Sequence, residues 1–291
     1  MSRVNQRFQL PDGRSLSYDE LGPVDRTPVF YFHGSPSTSL EWKLFSNESL
    51  EKRLTTRVIA PDRPGLGGSD FQPGRRISDW PADVIALADR LDLPSFGILA
   101  YSGGCPYAVA CALKVPERLT HLVIVSGTAP FDEPGLTAAI SPPSLRFMQL
   151  ARTKPWLSKL GVRLMGIMAH YAPHGFIKGV ISSLPPPDQA LMTDPNFQQR
   201  FIALIKDAIR AGPSGAQWDT ALMVSPWGFR LQDVKLPVQL WHGEEDANAP
   251  LAMAHYMAAS IPNTKLRVFA AEGHLSLMAK HVEQILDLFH A

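Results

Sequence analysis

The chain has 291 residues, 45% hydrophobic and 19% charged, which fits a globular protein able to bury a large core. A formal net charge of +1 gives no electrostatic footprint for nucleic acid or an anionic membrane. Residues 1–20 lack the apolar core of a secretory signal, and no later run is apolar for long enough to span a bilayer, so the expected location is cytoplasmic, with no membrane partner. Cys105 and Cys111 lie six apart on one predicted helix, facing different ways, and read as reduced buried thiols.

In chain order, residues 7–10 and 15–21 flank Pro11-Asp12-Gly13 and predict a hairpin around a DG turn. Residues 28–32 (PVFYF) form a buried strand that ends at His33-Gly34-Ser35-Pro36. A helical pattern over 40–54 leads to a strand over 57–60, then to Asp62-Arg63-Pro64-Gly65-Leu66-Gly67-Gly68-Ser69. An amphipathic helix covers 77–91, and strands cover 96–101 and 119–125 with a helix over 106–113 between them. After Gly127 the pattern changes to helical patches broken by proline pairs and triplets. Alternation resumes with strands over 237–242 and 265–270 and helices over 251–260 and 275–289. This order predicts an α/β core from residues 1–130 and 230–291, a mostly parallel sheet with helices on both faces, carrying a helical cap inserted over 131–229.

The segment 95–113 concentrates the chemistry. An apolar strand runs into Ala100-Tyr101-Ser102-Gly103-Gly104 and then into a helix, the strand–turn–helix context of a nucleophile elbow. Such a turn lifts the Ser102 hydroxyl clear of the backbone and aims the next N–H groups, at the positive end of the helix, toward the same point. A serine hydroxyl is a weak nucleophile without a base oriented by a carboxylate. In open α/β sheets those groups gather at the carboxyl ends of strands. Downstream of Ser102, two strand ends deliver polar loops, Gly243-Glu244-Glu245-Asp246-Ala247-Asn248-Ala249-Pro250 and Ala271-Glu272-Gly273-His274.

With those motifs the sequence resembles the α/β-hydrolases over nearly the whole chain outside the cap. The acid-loop pattern G-x-x-D-x-x-[VT]-P matches residues 243–250 with Ala249 at the branched position, and Gly273-His274 matches the base. His33-Gly34-Ser35-Pro36 matches the H-G-x-P turn, and residues 62–69 match D-x-P-G-x-G-x-S. The resemblance implies Ser102 as nucleophile, His274 as base, Asp246 as its orienter and an oxyanion hole from the Ser35 and Gly103 amides. His33, Gly34 and Gly104 are expected to support that geometry. No metal or organic cofactor is required.

Other residues compete. Glu244 and Glu245 read as solvated loop charges, and Asp132 is an alternative acid, past the strand ending at Val125. His170 and His174 have the i,i+4 spacing of a metal pair, but Pro173 interrupts them and no carboxylate or cysteine completes a site. A serine at the elbow argues against epoxide hydrolases and haloalkane dehalogenases, which need a carboxylate there. From residue 131 to 230 there are ten Lys/Arg against six Asp/Glu, which gives little reason to bind a substrate ammonium. The reading is therefore hydrolysis of small to medium apolar esters or lactones, with Tyr101, Met165, Met168, Trp218 and Trp227 as pocket candidates. Cofactor-free perhydrolase or haloperoxidase chemistry, C–C bond hydrolysis, and a ligand receptor with a hydrolase shell are the alternatives. The sequence leaves the oligomeric state open.

Overall fold

The computed structural model describes residues 3–290. Eight strands form one sheet: β1 (Arg3–Gln9), β2 (Ser15–Leu21), β3 (Thr27–Phe32), β4 (Thr56–Pro61), β5 (Phe96–Tyr101), β6 (Leu119–Val125), β7 (Val238–Gly243) and β8 (Thr264–Phe269). Their spatial order is β1-β2-β4-β3-β5-β6-β7-β8. The β1–β2 and β2–β4 pairs are antiparallel and the remainder parallel, so the carboxyl ends of β3, β5, β6, β7 and β8 share one edge. β5 is buried along its whole length, as a central parallel strand with both faces covered must be, whereas the edge strand β8 alternates between half-buried and exposed.

Strand periodicity divides the core in two. Phe30 and Phe32 of β3 face one side, with Trp80 from α3 (Trp80–Arg90) and Tyr107 from α4 (Cys105–Lys114). Val29 and Tyr31 face the other side, with Trp42 and with Leu277 and Met278 of the last helix, His274–Asp287. Both cysteines are free and buried, and burial pushes their thiols well above the ordinary range, the environment of structural rather than reactive cysteines. One sequence expectation needs correction. The pattern over 40–54 is two short helices, α1 (Glu41–Phe45) and α2 (Glu48–Lys52), because Ser46 is extended and the Asn47 side chain accepts from Leu50 N–H to start a new helix.

Between β6 and β7 lie six helices, α5 (Pro142–Thr153), α6 (Pro155–Tyr171), α7 (Pro173–Ser183), α8 (Pro186–Leu191), α9 (Pro195–Ala208) and α10 (Pro213–Met223). Every one starts at a proline. The breakers in the sequence are thus start signals, since the first turn needs no N–H and its φ is the one proline prefers. Ala169, Phe176, Ile177 and Ile205 make a small core inside this insertion. The insertion packs tightly on the sheet domain; at one of its contacts the α10 residue Gly215 lies against the backbone of Gly65 with no room for a side chain. The core helices α11 (Leu251–Ser260) and α12 (His274–Asp287) complete the chain.

Candidate active site

Ser102 has φ of +52°, the strained left-handed conformation of an elbow between β5 and α4. Only glycine fits two residues later, because a Cβ on Gly104 would strike the Phe32 carbonyl. The Ser102 hydroxyl lies 2.9 Å from His274 Nε2, and His274 Nδ1 lies 2.8 Å from Asp246 Oδ2. Nδ1 faces a carboxylate, so it carries the proton and Nε2 is left to accept from the serine. Asp246 Oδ1 accepts from the Asn248 and Ala249 amides at 2.9 and 2.8 Å, which fixes the carboxylate in its loop. Asp132 is exposed, on a surface cavity of about 520 Å³ with Arg146 and Arg152; the partner of His274 is Asp246.

The surroundings raise the proton affinity of His274. Burial of the ring works against the cation, yet Asp246 overcomes it by charge and hydrogen bond, aided by Asp188 and Glu41, and His274 titrates above its ordinary value. Burial also opposes ionisation of Asp246, but His274 and the loop amides hold its carboxyl below the usual range. His33 is fully buried and its pKa is driven well down by burial and by Arg63. As a neutral ring it donates from Nδ1 to the Gly34 carbonyl at 2.8 Å and accepts from Arg63 N–H at 3.3 Å.

The Ser35 and Gly103 backbones, implied by the resemblance to supply an oxyanion hole, are neighbours. Ser35 N is 3.1 Å from the point a Cβ on Gly103 would occupy, and its side chain is closer still. The Ser35 hydroxyl oxygen is buried and has no hydrogen-bond partner among the described residues. Met223 Sδ, at the end of α10, lies 3.3 Å from the same point and roofs it.

Sequence reasoning missed the residues that brace this site. Glu41 Oε2 accepts from Tyr31 OH at 2.7 Å and Gly34 N–H at 2.8 Å. Its Oε1 and the Ser102 hydroxyl lie 3.0 and 3.6 Å from the point a Cβ on Gly34 would take, so one glycine separates the two side chains. Arg63 donates to the His33 and Gly34 carbonyls, both at 2.6 Å, and grips the α10 residue Asp219 at 2.8 and 3.0 Å. Arg75 and Tyr107 also donate to Asp219, both at 2.7 Å. Burial opposes the Asp219 charge, but the two guanidiniums push its carboxyl far below the usual range. From α8, Asp188 accepts the first three amides of α12, those of His274, Leu275 and Ser276, at 2.8–3.0 Å. A carboxylate at that N-terminus orients the helix that carries the histidine. The available sequence signals were an aspartate after a proline triplet and an Asp-Arg pair in a glycine-rich loop, neither of which names a partner.

The pocket candidates scatter. Tyr101 is buried beneath His274, donating to its carbonyl at 3.0 Å with the rings 5.1 Å apart. Met165 packs into the core of the insertion and Met168 is 47% exposed on its outer face. Trp218 is half-buried and donates to the Arg75 carbonyl at 3.0 Å. Trp227 is packed in the main core, donating to Met223 O, and does not roof the elbow. His170 and His174 are both exposed.

Residues 29–288 match the alpha/beta hydrolase family. The chain belongs to that family. An uncharacterized hydrolase of Saccharomyces cerevisiae is 26% identical over 309 residues, covering 99% of each chain. A 2-hydroxymuconate semialdehyde hydrolase of Pseudomonas putida is 28% identical over 267 residues, covering 90% of this chain and 85% of that one. Among solved structures, a thermophilic esterase from Thermogutta terrifontis superposes with a TM-score of 0.70 at 23% identity, over 98% of this chain and 97% of that one. The family match makes this chain a hydrolase.

Proposed function

We propose that this hydrolase cleaves uncharged carboxylic esters or lactones through an acyl-enzyme on Ser102. The observation that carries the reading is the unbroken hydrogen-bond chain from Ser102 through His274 to Asp246. Ser102 Oγ attacks the acyl carbonyl as His274 Nε2 takes its proton, and Asp246 steadies the imidazolium. The carbonyl oxygen becomes an oxyanion against the Ser35 and Gly103 amides, each donor of this kind contributing about 3 kcal/mol in the transition state. The imidazolium protonates the leaving alcohol. A water activated by the same histidine then opens the acyl-enzyme and restores Ser102.

A second reading, C–C bond hydrolysis, draws support from the 2-hydroxymuconate semialdehyde hydrolase relative. The charges near Ser102 favour the ester. A 2-hydroxymuconate semialdehyde carries a carboxylate, and binding it needs a free cation. Here Arg63 and Arg75 are both committed to Asp219, while Glu41 and Asp188 place carboxylates beside the oxyanion turn and the histidine. A buried anion facing those carboxylates is disfavoured.

The test is turnover of p-nitrophenyl esters from acetate to decanoate by wild type and Ser102→Ala. Serine-dependent hydrolysis peaking at one chain length is expected. Ester turnover that survives Ser102→Ala, or folded wild type that ignores every ester while cleaving a 2-hydroxy-6-oxo-dienoate, would overturn the reading.

A further inference from the structure

The outer face of α6 carries Trp156, Leu160, Leu164, Ile167, Met168 and Tyr171, with exposures from 46% for Leu160 to 79% for Tyr171. At 100° per residue these six side chains occupy about 120° of arc along a helix about 25 Å long. Lys159, Arg163 and His170 fall on the adjacent arc, and the opposite arc holds Ser158, Val162 and Ala169, buried against the protein. A contiguous stripe of large apolar side chains in water signals an interaction surface.

Charge narrows the partner. Residues 134–187 contain six Lys/Arg and no Asp or Glu. Those six cations form no ion pair with any described residue, whereas the core pairs its buried arginines. A surface cavity of about 550 Å³ opens beside the stripe and shares Ile167 and Tyr171 with it. Its walls are apolar at Val162 and Ile209 and cationic at Arg163 and Lys206. Two copies meeting through α6 would bring Lys159 and Arg163 of both together without an anion in this segment to offset them.

We propose that α6 docks on an anionic phospholipid bilayer, its aromatic and aliphatic stripe lying in the headgroup–acyl boundary and its unpaired cations meeting lipid phosphates. Interfacial helices combine these features: Trp and Leu on one face, Lys and Arg beside it, and a length that lies in the membrane plane. Among the described residues no helix is long and apolar enough to cross a membrane, so the mode is peripheral. The overall +1 charge hides this patch, because the acid-free segment is balanced by acidic residues elsewhere.

The experiment is co-sedimentation of the full chain with vesicles of phosphatidylcholine alone, or with about 30% phosphatidylglycerol, at low and moderate salt. Partitioning should be at least about tenfold stronger onto the anionic vesicles and should weaken as salt rises. Trp156→Glu/Leu164→Glu should abolish it, and Lys159→Glu/Arg163→Glu should remove the preference for anionic lipid, both with an unchanged melting temperature. Absence of wild-type partitioning, equal partitioning onto neutral vesicles, or full binding by either variant would overturn the proposal. So would a solution dimer of wild type that Trp156→Glu dissociates, since a second copy would then cover the stripe. None of these readouts depends on ester hydrolysis.

Discussion

The sheet domain and the helical insertion resolve their charges and apolar surfaces in opposite ways. In the sheet domain the buried arginines are ion-paired: Arg57 with Glu20 at 2.7 Å, and Arg63 and Arg75 with Asp219, which the insertion supplies. Outward-facing α6 instead leaves large apolar residues in water beside cations without partners. The two regions meet through buried carboxylates that the insertion lends to the core, Asp219 at the oxyanion turn and Asp188 at the histidine helix. The insertion therefore braces the candidate active site on its inner side and carries the proposed docking face on its outer side.

The largest effect that separates these roles is at the nucleophile. Ser102→Ala should lower kcat on a reactive ester on the order of 10⁶-fold with no change in fold, measured by turnover and circular dichroism. Next, Asp246→Asn should lower kcat on the order of 10⁴-fold, because the amide holds the wrong histidine tautomer. If Asp132→Asn does this instead, the orienting acid lies after β6.

Asp219→Asn should lower stability by about 3–5 kcal/mol, since it strands two buried guanidiniums. Denaturant unfolding checks this, and an unchanged midpoint would show that the insertion does not latch the oxyanion turn.

Asp188→Asn is the subtlest. His274 titrates above its ordinary value of 6.5, so kcat/KM should fall as pH drops through that raised value. Removing the Asp188 charge takes away one cause of the upward shift, and the acid limb should move to lower pH. Asparagine keeps one acceptor at the α12 N-terminus, so the stability loss should be about 1 kcal/mol. A pH–rate profile that does not move would limit Asp188 to helix capping. The His274–Asp246 pair also adds stability below the ordinary histidine value, and that increment is lost as pH rises through the raised one.

The central strands were legible because they are short, largely apolar runs, as residues 28–32 of β3 and all of β5 are; β5 and β6 fall on the expected residues. The candidate triad was legible because Ser102, Asp246 and His274 each sit in a short polar loop just after such a strand. What the sequence hid is contact between remote segments. Asp188 reaches an amide 86 residues away and Asp219 a guanidinium 156 residues away, and nothing local at either aspartate encodes the partner. Helix faces in the insertion were equally hidden. Met165 and Met168 are three residues apart on α6, and one turns inward while the other meets solvent. Met223, which reaches the elbow, carries no mark that distinguishes it from the other methionines.

Every step of the proposed hydrolysis depends on Ser102 being an activated nucleophile. Its most direct test is reaction of the intact protein with a fluorophosphonate, followed by mass measurement and peptide mapping. One adduct is expected, on Ser102, lost in Ser102→Ala and strongly slowed in Asp246→Asn. An adduct that persists on another residue in Ser102→Ala, or folded wild-type protein that does not react, would contradict it.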